Sequence, residues 1–130
     1  MGTLKVSASI NGNDVLTSPI SLSVSKTVSA DSGFLSKAKI ASINDNTTFT
    51  LFKAQDKTSA ILYVKNMSNV EEDYIYLLES QDEVFAKISG GGFAILPVNP
   101  LKTIRAYGTK VDQIVEYGVF GTDSSAVSLV

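Results

Sequence analysis

Side chains alternate in kind along much of this chain, and that period of two constrains its fold more than any other feature. Val6, Ala8 and Ile10 stand between Lys5, Ser7 and Ser9, and Ile20, Leu22 and Val24 stand between Ser21, Ser23 and Ser25. Successive side chains of an extended strand point to opposite faces, so each run gives a strand with one apolar and one polar face. Asn11-Gly12-Asn13-Asp14 lies between the two runs, and Asn-Gly supplies the positive φ angles of a tight turn. A hairpin over residues 3–25 is expected, with Pro19 at its edge or at a bulge because proline cannot donate to the ladder.

Residues 26–36 carry no clear period; Ser32-Gly33 suggests a turn, and one short helical turn fits there. Strand patterns return at about 37–43 and 48–53, on either side of the turn cluster Asn44-Asp45-Asn46-Thr47. Phe49 and Leu51 then share one face and Phe52 takes the other. Ala60-Ile61-Leu62-Tyr63-Val64 and Tyr74-Ile75-Tyr76-Leu77-Leu78 are unbroken apolar runs, which read as central strands covered on both sides. Val84–Ile88 and Phe93–Leu96 flank Gly90-Gly91-Gly92, a triplet that calls for a positive-φ turn or a close backbone contact. Strands at about 102–107 and 113–120 follow, and the chain ends on apolar Val127, Leu129 and Val130, which suggests strand pairing within the fold or with a neighbouring subunit. No stretch of 11 residues or more holds a helical apolar stripe. About nine or ten short strands with turn chemistry between them predict an all-β fold, an antiparallel β-sandwich or jelly-roll-like barrel, in a single domain over residues 1–130.

Composition sets the limits of function. The chain has 130 residues with 44% hydrophobic, enough to bury a core without a disulfide or metal. Cys, His and Trp are absent. That removes thiolate nucleophiles, zinc-thiolate sites and the commonest general base and metal ligand. Ten scattered lysines and the single Arg105, in a chain of net charge −2, form no cluster along the sequence of the kind that displaces counterions from phosphates. No apolar run reaches the length of a membrane span or a signal peptide, so a soluble chain with neither nucleic acid nor membrane as partner is expected.

The remaining motifs favour structural readings. Glu71-Glu72-Asp73 and Asp82-Glu83 are acidic runs that could supply the two carboxylates a glycosidase uses, but both fall in turns, where acids are usually solvated. Asn11, Asn13 and Asp14, or Asn44, Asp45 and Asn46, lack the spacing and closing Glu of a calcium loop. The glycine triplet leads into a strand, and a phosphate loop requires GxxxxGK[ST] before a helix. Asn46-Thr47-Thr48 and Asn66-Met67-Ser68 match a glycosylation sequon that is common by chance. No catalytic, cofactor or metal residue is assigned. Tyr63, Tyr74, Tyr76, Tyr107 and Tyr117 are the candidate contact residues, for an interface or for a sugar or peptide, because each offers a flat apolar face with a polar tip.

Two C-terminal stretches, Gly92-Phe93-Ala94-Ile95-Leu96-Pro97 and Val115-Glu116-Tyr117-Gly118-Val119-Phe120-Gly121, resemble segments of small tailed-bacteriophage virion proteins. The resemblance spans Gly90 to Thr122. It implies a β-rich, non-enzymatic virion structural protein without cofactors, present in many copies. A capsid decoration (cement) protein packing against major capsid subunits is the expectation, with a tail or fibre-base component as alternative. It implies other virion proteins and a homo-oligomer as partners, and carries over no functional residue. The rival expectation from the residues alone is a sugar- or peptide-binding β-sandwich module.

Overall fold

The computed structural model describes residues 2–13, 19–42, 48–79 and 83–123. All of its regular structure is extended, in ten strands: β1 (Gly2–Gly12), β2 (Ile20–Ala30), β3 (Ser32–Ile40), β4 (Phe49–Phe52), β5 (Lys57–Asn66), β6 (Ile75–Leu78), β7 (Val84–Ile88), β8 (Phe93–Pro97), β9 (Ile104–Gly108) and β10 (Gln113–Asp123). They fall into two compact units, Met1–Ala30 and Asp31–Val130.

The first unit is one antiparallel hairpin in unbroken register from Gly2↔Ala30 to Gly12↔Ile20. The alternation of the sequence becomes two faces. Leu4↔Val28, Val6↔Lys26, Ala8↔Val24 and Ile10↔Leu22 are the rungs of one; Thr3↔Ser29, Lys5↔Thr27, Ser7↔Ser25, Ser9↔Ser23 and Asn11↔Ser21 are those of the other. None of the hairpin's described side chains is buried.

The second unit is an antiparallel β-sandwich of two four-stranded sheets, ordered β3-β10-β5-β8 and β4-β9-β6-β7. The pairs β6–β7, β5–β8, β4–β9 and β3–β10 are nested in sequence. They are successive rungs of one long hairpin, rolled up so that alternate rungs enter alternate sheets. The contacts β10–β5 and β6–β9 join the rungs laterally. This winding is the jelly roll.

Strand parity fixes the core. In β5 and β10, Leu62, Val64, Val115 and Val119 point inward; Ile75, Leu77, Ile104 and Ala106 meet them from β6 and β9. Leu62, Val64, Ile75, Leu77, Ala106 and Val115 are fully inaccessible. Burying each leucine or isoleucine contributes about 2 kcal/mol from the apolar area removed from water.

Several sequence-based expectations change. The hairpin extends over Gly2–Gly12 and Ile20–Ala30, and Asn11 and Gly12 are paired within β1, so Asn-Gly does not form a two-residue turn. Residues 26–36 are strand apart from Asp31, which separates β2 from β3, so neither the expected turn at Ser32-Gly33 nor a helical turn forms there. A bulge between Thr50 and Phe52 sets both Phe49 and Phe52 opposite inward residues of β9. β5 and β6 are central strands, but one face of each holds half-buried tyrosines. Asp14, Asn44–Asn46, Asp82 and residues 126–130 lie outside the described residues.

The glycine triplet meets both of its structural expectations. Gly91 has φ +81°, and a Cβ on Gly90 would lie 1.9 Å from the Val70 carbonyl oxygen. The amides of Gly90, Gly91 and Gly92 donate to the carbonyls of Glu71, Asn66 and Ser89. Their N–H groups are therefore committed to the chain itself, which leaves no phosphate cradle.

Candidate functional site

The sandwich brings three of the five candidate tyrosines together. Tyr74 immediately precedes β6, Tyr76 lies on it, and Tyr107 faces Tyr76 from β9. All three point away from the core, because Ile75 and Leu77 take the inward positions. The rings of Tyr76 and Tyr107 are 5.2 Å apart and those of Tyr74 and Tyr76 are 6.4 Å apart, both tilted. Lys87, opposite Tyr76 on β7, holds its ammonium 4.0 Å from the Tyr74 ring centre. Arg105 frames the group from β9, donating to Thr48 Oγ1 and to the Glu79 carbonyl. The result is a half-buried aromatic row on the outer face of β6 and β9, with the Lys87 ammonium over one of its rings.

The other two tyrosines stand elsewhere. Tyr117 has inward parity on β10 and packs edge-on against Phe34 and Phe49, at 5.5 and 5.4 Å. It fills space at the border of the core. Tyr63 points outward from the β3-β10-β5-β8 sheet and donates its hydroxyl to Glu116 Oε1 at 2.8 Å. Partial burial, and then the acceptor bond and charge of Glu116, raise its pKa above the ordinary phenol value.

Around Tyr63 that sheet presents an apolar outer face. The cross-strand row Ile95–Tyr63–Gly118–Leu35 runs over all four strands, with Pro97–Ile61–Phe120–Gly33 beside it. Leu35 is 60% exposed, Phe93 63% and Ile95 39%. A Cβ at Gly33 would come within 2.4 Å of the Phe120 ring, and one at Gly118 within 2.9 Å. The two glycines are the floor on which that ring lies. The next row, Phe93–Lys65–Glu116–Lys37, places one acid between two lysines.

Of the acidic runs, Glu71, Glu72 and Glu83 are exposed, as turn acids are expected to be. Asp73 departs from that expectation: it is 7% exposed, accepting from Lys110 Nζ at 2.9 Å and from Ser68 Oγ at 2.7 Å. Those two bonds, the lysine's foremost, hold its carboxyl below the usual carboxylate range. Behind it, the Asn66 amide is fully buried, donating to the carbonyls of Asp73 and Ile88 while its oxygen accepts from the Ser68 amide. Asn66 is thus a structural tie in the core, and its amide is inaccessible as a glycosylation acceptor. Asp73 and Lys110 line a shallow open hollow of about 290 Å³ with Met67, Val111 and Ile114. Their charges satisfy each other, and no buried side-chain nitrogen or oxygen among the described residues lacks a partner. The described residues contain no group of three or more Asp or Glu side chains that could hold a metal ion.

Sequence reasoning missed the apolar outer face and the buried Asp73. Gly33 and Gly118 were the available signal for the first, since a strand interior tolerates glycine where something lies across it. The Ser68/Asp73 spacing across one connection was a weak signal for the second. Comparison with protein-family models, with curated proteins and with solved structures returns no match for the chain.

Proposed function

We propose that this chain is a non-enzymatic structural subunit that works by surface contact in a multi-copy assembly, and specifically a virion protein of the capsid-decoration type. The observation that carries the reading is the apolar outer face of the β3-β10-β5-β8 sheet. Two adjacent outward rows, in which Leu35 and Ile95 are exposed and Ile61, Tyr63 and Phe120 are half-buried, mark an interaction surface on the sandwich. The two segments that resemble tailed-phage virion proteins form β8 and most of β10, on either side of β5 in this same sheet. The jelly roll supports the virion reading by analogy alone, since viral capsid and lectin domains both use it. Particles assembled without this chain, imaged by electron microscopy before and after adding it back, test the proposal. Added density on the capsid exterior, lost with Leu35→Asp and Ile95→Asp, is expected; density unchanged by the addition contradicts it.

One observation favours a second reading, recognition of a sugar or peptide: Tyr74, Tyr76 and Tyr107 do gather on one face. Glycan or peptide binding abolished by Tyr76→Ala and Tyr107→Ala, with the fold intact, supports that alternative. Binding that survives both changes excludes this face.

A further inference from the structure

The hairpin of residues 2–30 poses a physical problem of its own. Two strands of 11 residues each reach about 37 Å, yet a two-stranded ribbon has no second layer and is marginal in water. Its polar face, almost wholly serine and threonine, suits solvent. Its apolar face does not: Ile10 is 61% exposed, Leu22 57% and Val24 69%.

We propose that this apolar face is a self-association surface, covered by the same face of a second copy of the chain. The inference rests on the multi-copy reading above and names the element that mediates it. Flat sheet faces pack best against other flat sheet faces, about 10 Å away. Two ribbons about 37 Å long and 10 Å wide, laid face to face, cover roughly 700 Å² in total, the size of a weak, concentration-dependent contact rather than a permanent one. The pairing is isologous, so the broad rungs Leu4↔Val28 and Ile10↔Leu22 and the narrower Ala8↔Val24 recur on both sides. Lys26, the single charge on this face among the described residues, fits the geometry. In a ribbon two strands wide every side chain stands at an edge, so its stem lies along the apolar strip while the ammonium reaches water. Over the middle of a wide partner surface that ammonium would be buried without an acid.

The test uses the full chain, whose lack of cysteine makes any introduced thiol unique. Light scattering across a concentration series is expected to show twice the chain mass, reverting to a single chain mass in Leu22→Asp with Val24→Asp. Ser23→Asp, on the polar face, should leave the dimer mass unchanged. Under mild oxidation Ala8→Cys should crosslink at least tenfold more than Ser7→Cys. An assembly that persists in the double aspartate variant, or crosslinks equally from both positions, overturns the hairpin proposal and leaves the multi-copy reading standing. A wild-type chain that stays monomeric throughout overturns the hairpin proposal, and one that also adds no density to particles overturns both. Circular dichroism of the aspartate variants must retain the β spectrum, so loss of fold is not mistaken for loss of interface.

Discussion

The hairpin and the sandwich are written in the same alternating code, yet only one of them uses it to build a core. In β5 and β10 every second residue from Leu62 to Asn66 and from Val115 to Val119 is withdrawn from water or packed against the core. In β1 and β2 the equivalent positions, from Leu4 to Ile10 and Leu22 to Val28, are half or fully exposed, and none is buried. Alternation therefore fixes that a segment is a strand and which side chains share a face. Whether that face is covered depends on a second layer, which the sandwich supplies to itself and the hairpin takes, on the account above, from a second copy.

The contrast can be broken most severely in the core. Leu77→Ala removes a side chain with no exposed surface, and should lower unfolding stability by about 2–5 kcal/mol through lost burial and the cavity left behind. Chemical denaturation followed by tyrosine fluorescence measures this. Asn66→Ala comes next. It orphans the Asp73 and Ile88 carbonyls, and a buried polar group left unpaired costs about 1–3 kcal/mol, so a fall in that range is expected from the same titration.

Acid provides a third, smaller lever. Asp73 has a folded pKa below its unfolded value, so the stabilisation from Lys110 and Ser68 is fully present above the ordinary carboxylate pKa of about 3.9. It is lost as pH falls through the folded value. The stability gap between wild type and Asp73→Asn should therefore narrow as pH is lowered through that window, and a gap constant with pH would contradict the assignment. The smallest effect belongs to the hairpin. At concentrations that keep the chain monomeric, Val24→Ser should change the unfolding stability of the sandwich by no more than about 0.5 kcal/mol, as is usual for exposed sites.

Much of this was legible in the sequence because strand formation is local. The runs at Val84–Ile88, Phe93–Leu96 and 113–120 emerge as β7, β8 and β10 with small shifts of boundary, and the all-β sandwich follows from their number and length. Pairing is not local. Nothing near Ser32–Ile40 says that it lies beside Gln113–Asp123, so the rolled order of the sheets could not be read. The tyrosines illustrate the consequence. Parity alone sends Tyr74 and Tyr76 outward together, but bringing Tyr107 beside them needs the β6–β9 pairing, and turning Tyr117 inward needs its register against β5 and β3. Turn acids are usually solvated, so the sequence places Asp73 in solvent; Lys110 and Ser68, one of them distant in sequence, supply the partners that let it be buried.

Native-state hydrogen exchange on the dilute, monomeric chain addresses the difference between the two units most directly. Amides of β5 and β6 should exchange only through global opening, while those of β1 and β2 should exchange orders of magnitude faster and gain protection as concentration rises. Equal, concentration-independent protection in both units would mean that the hairpin needs no second copy to hold its structure.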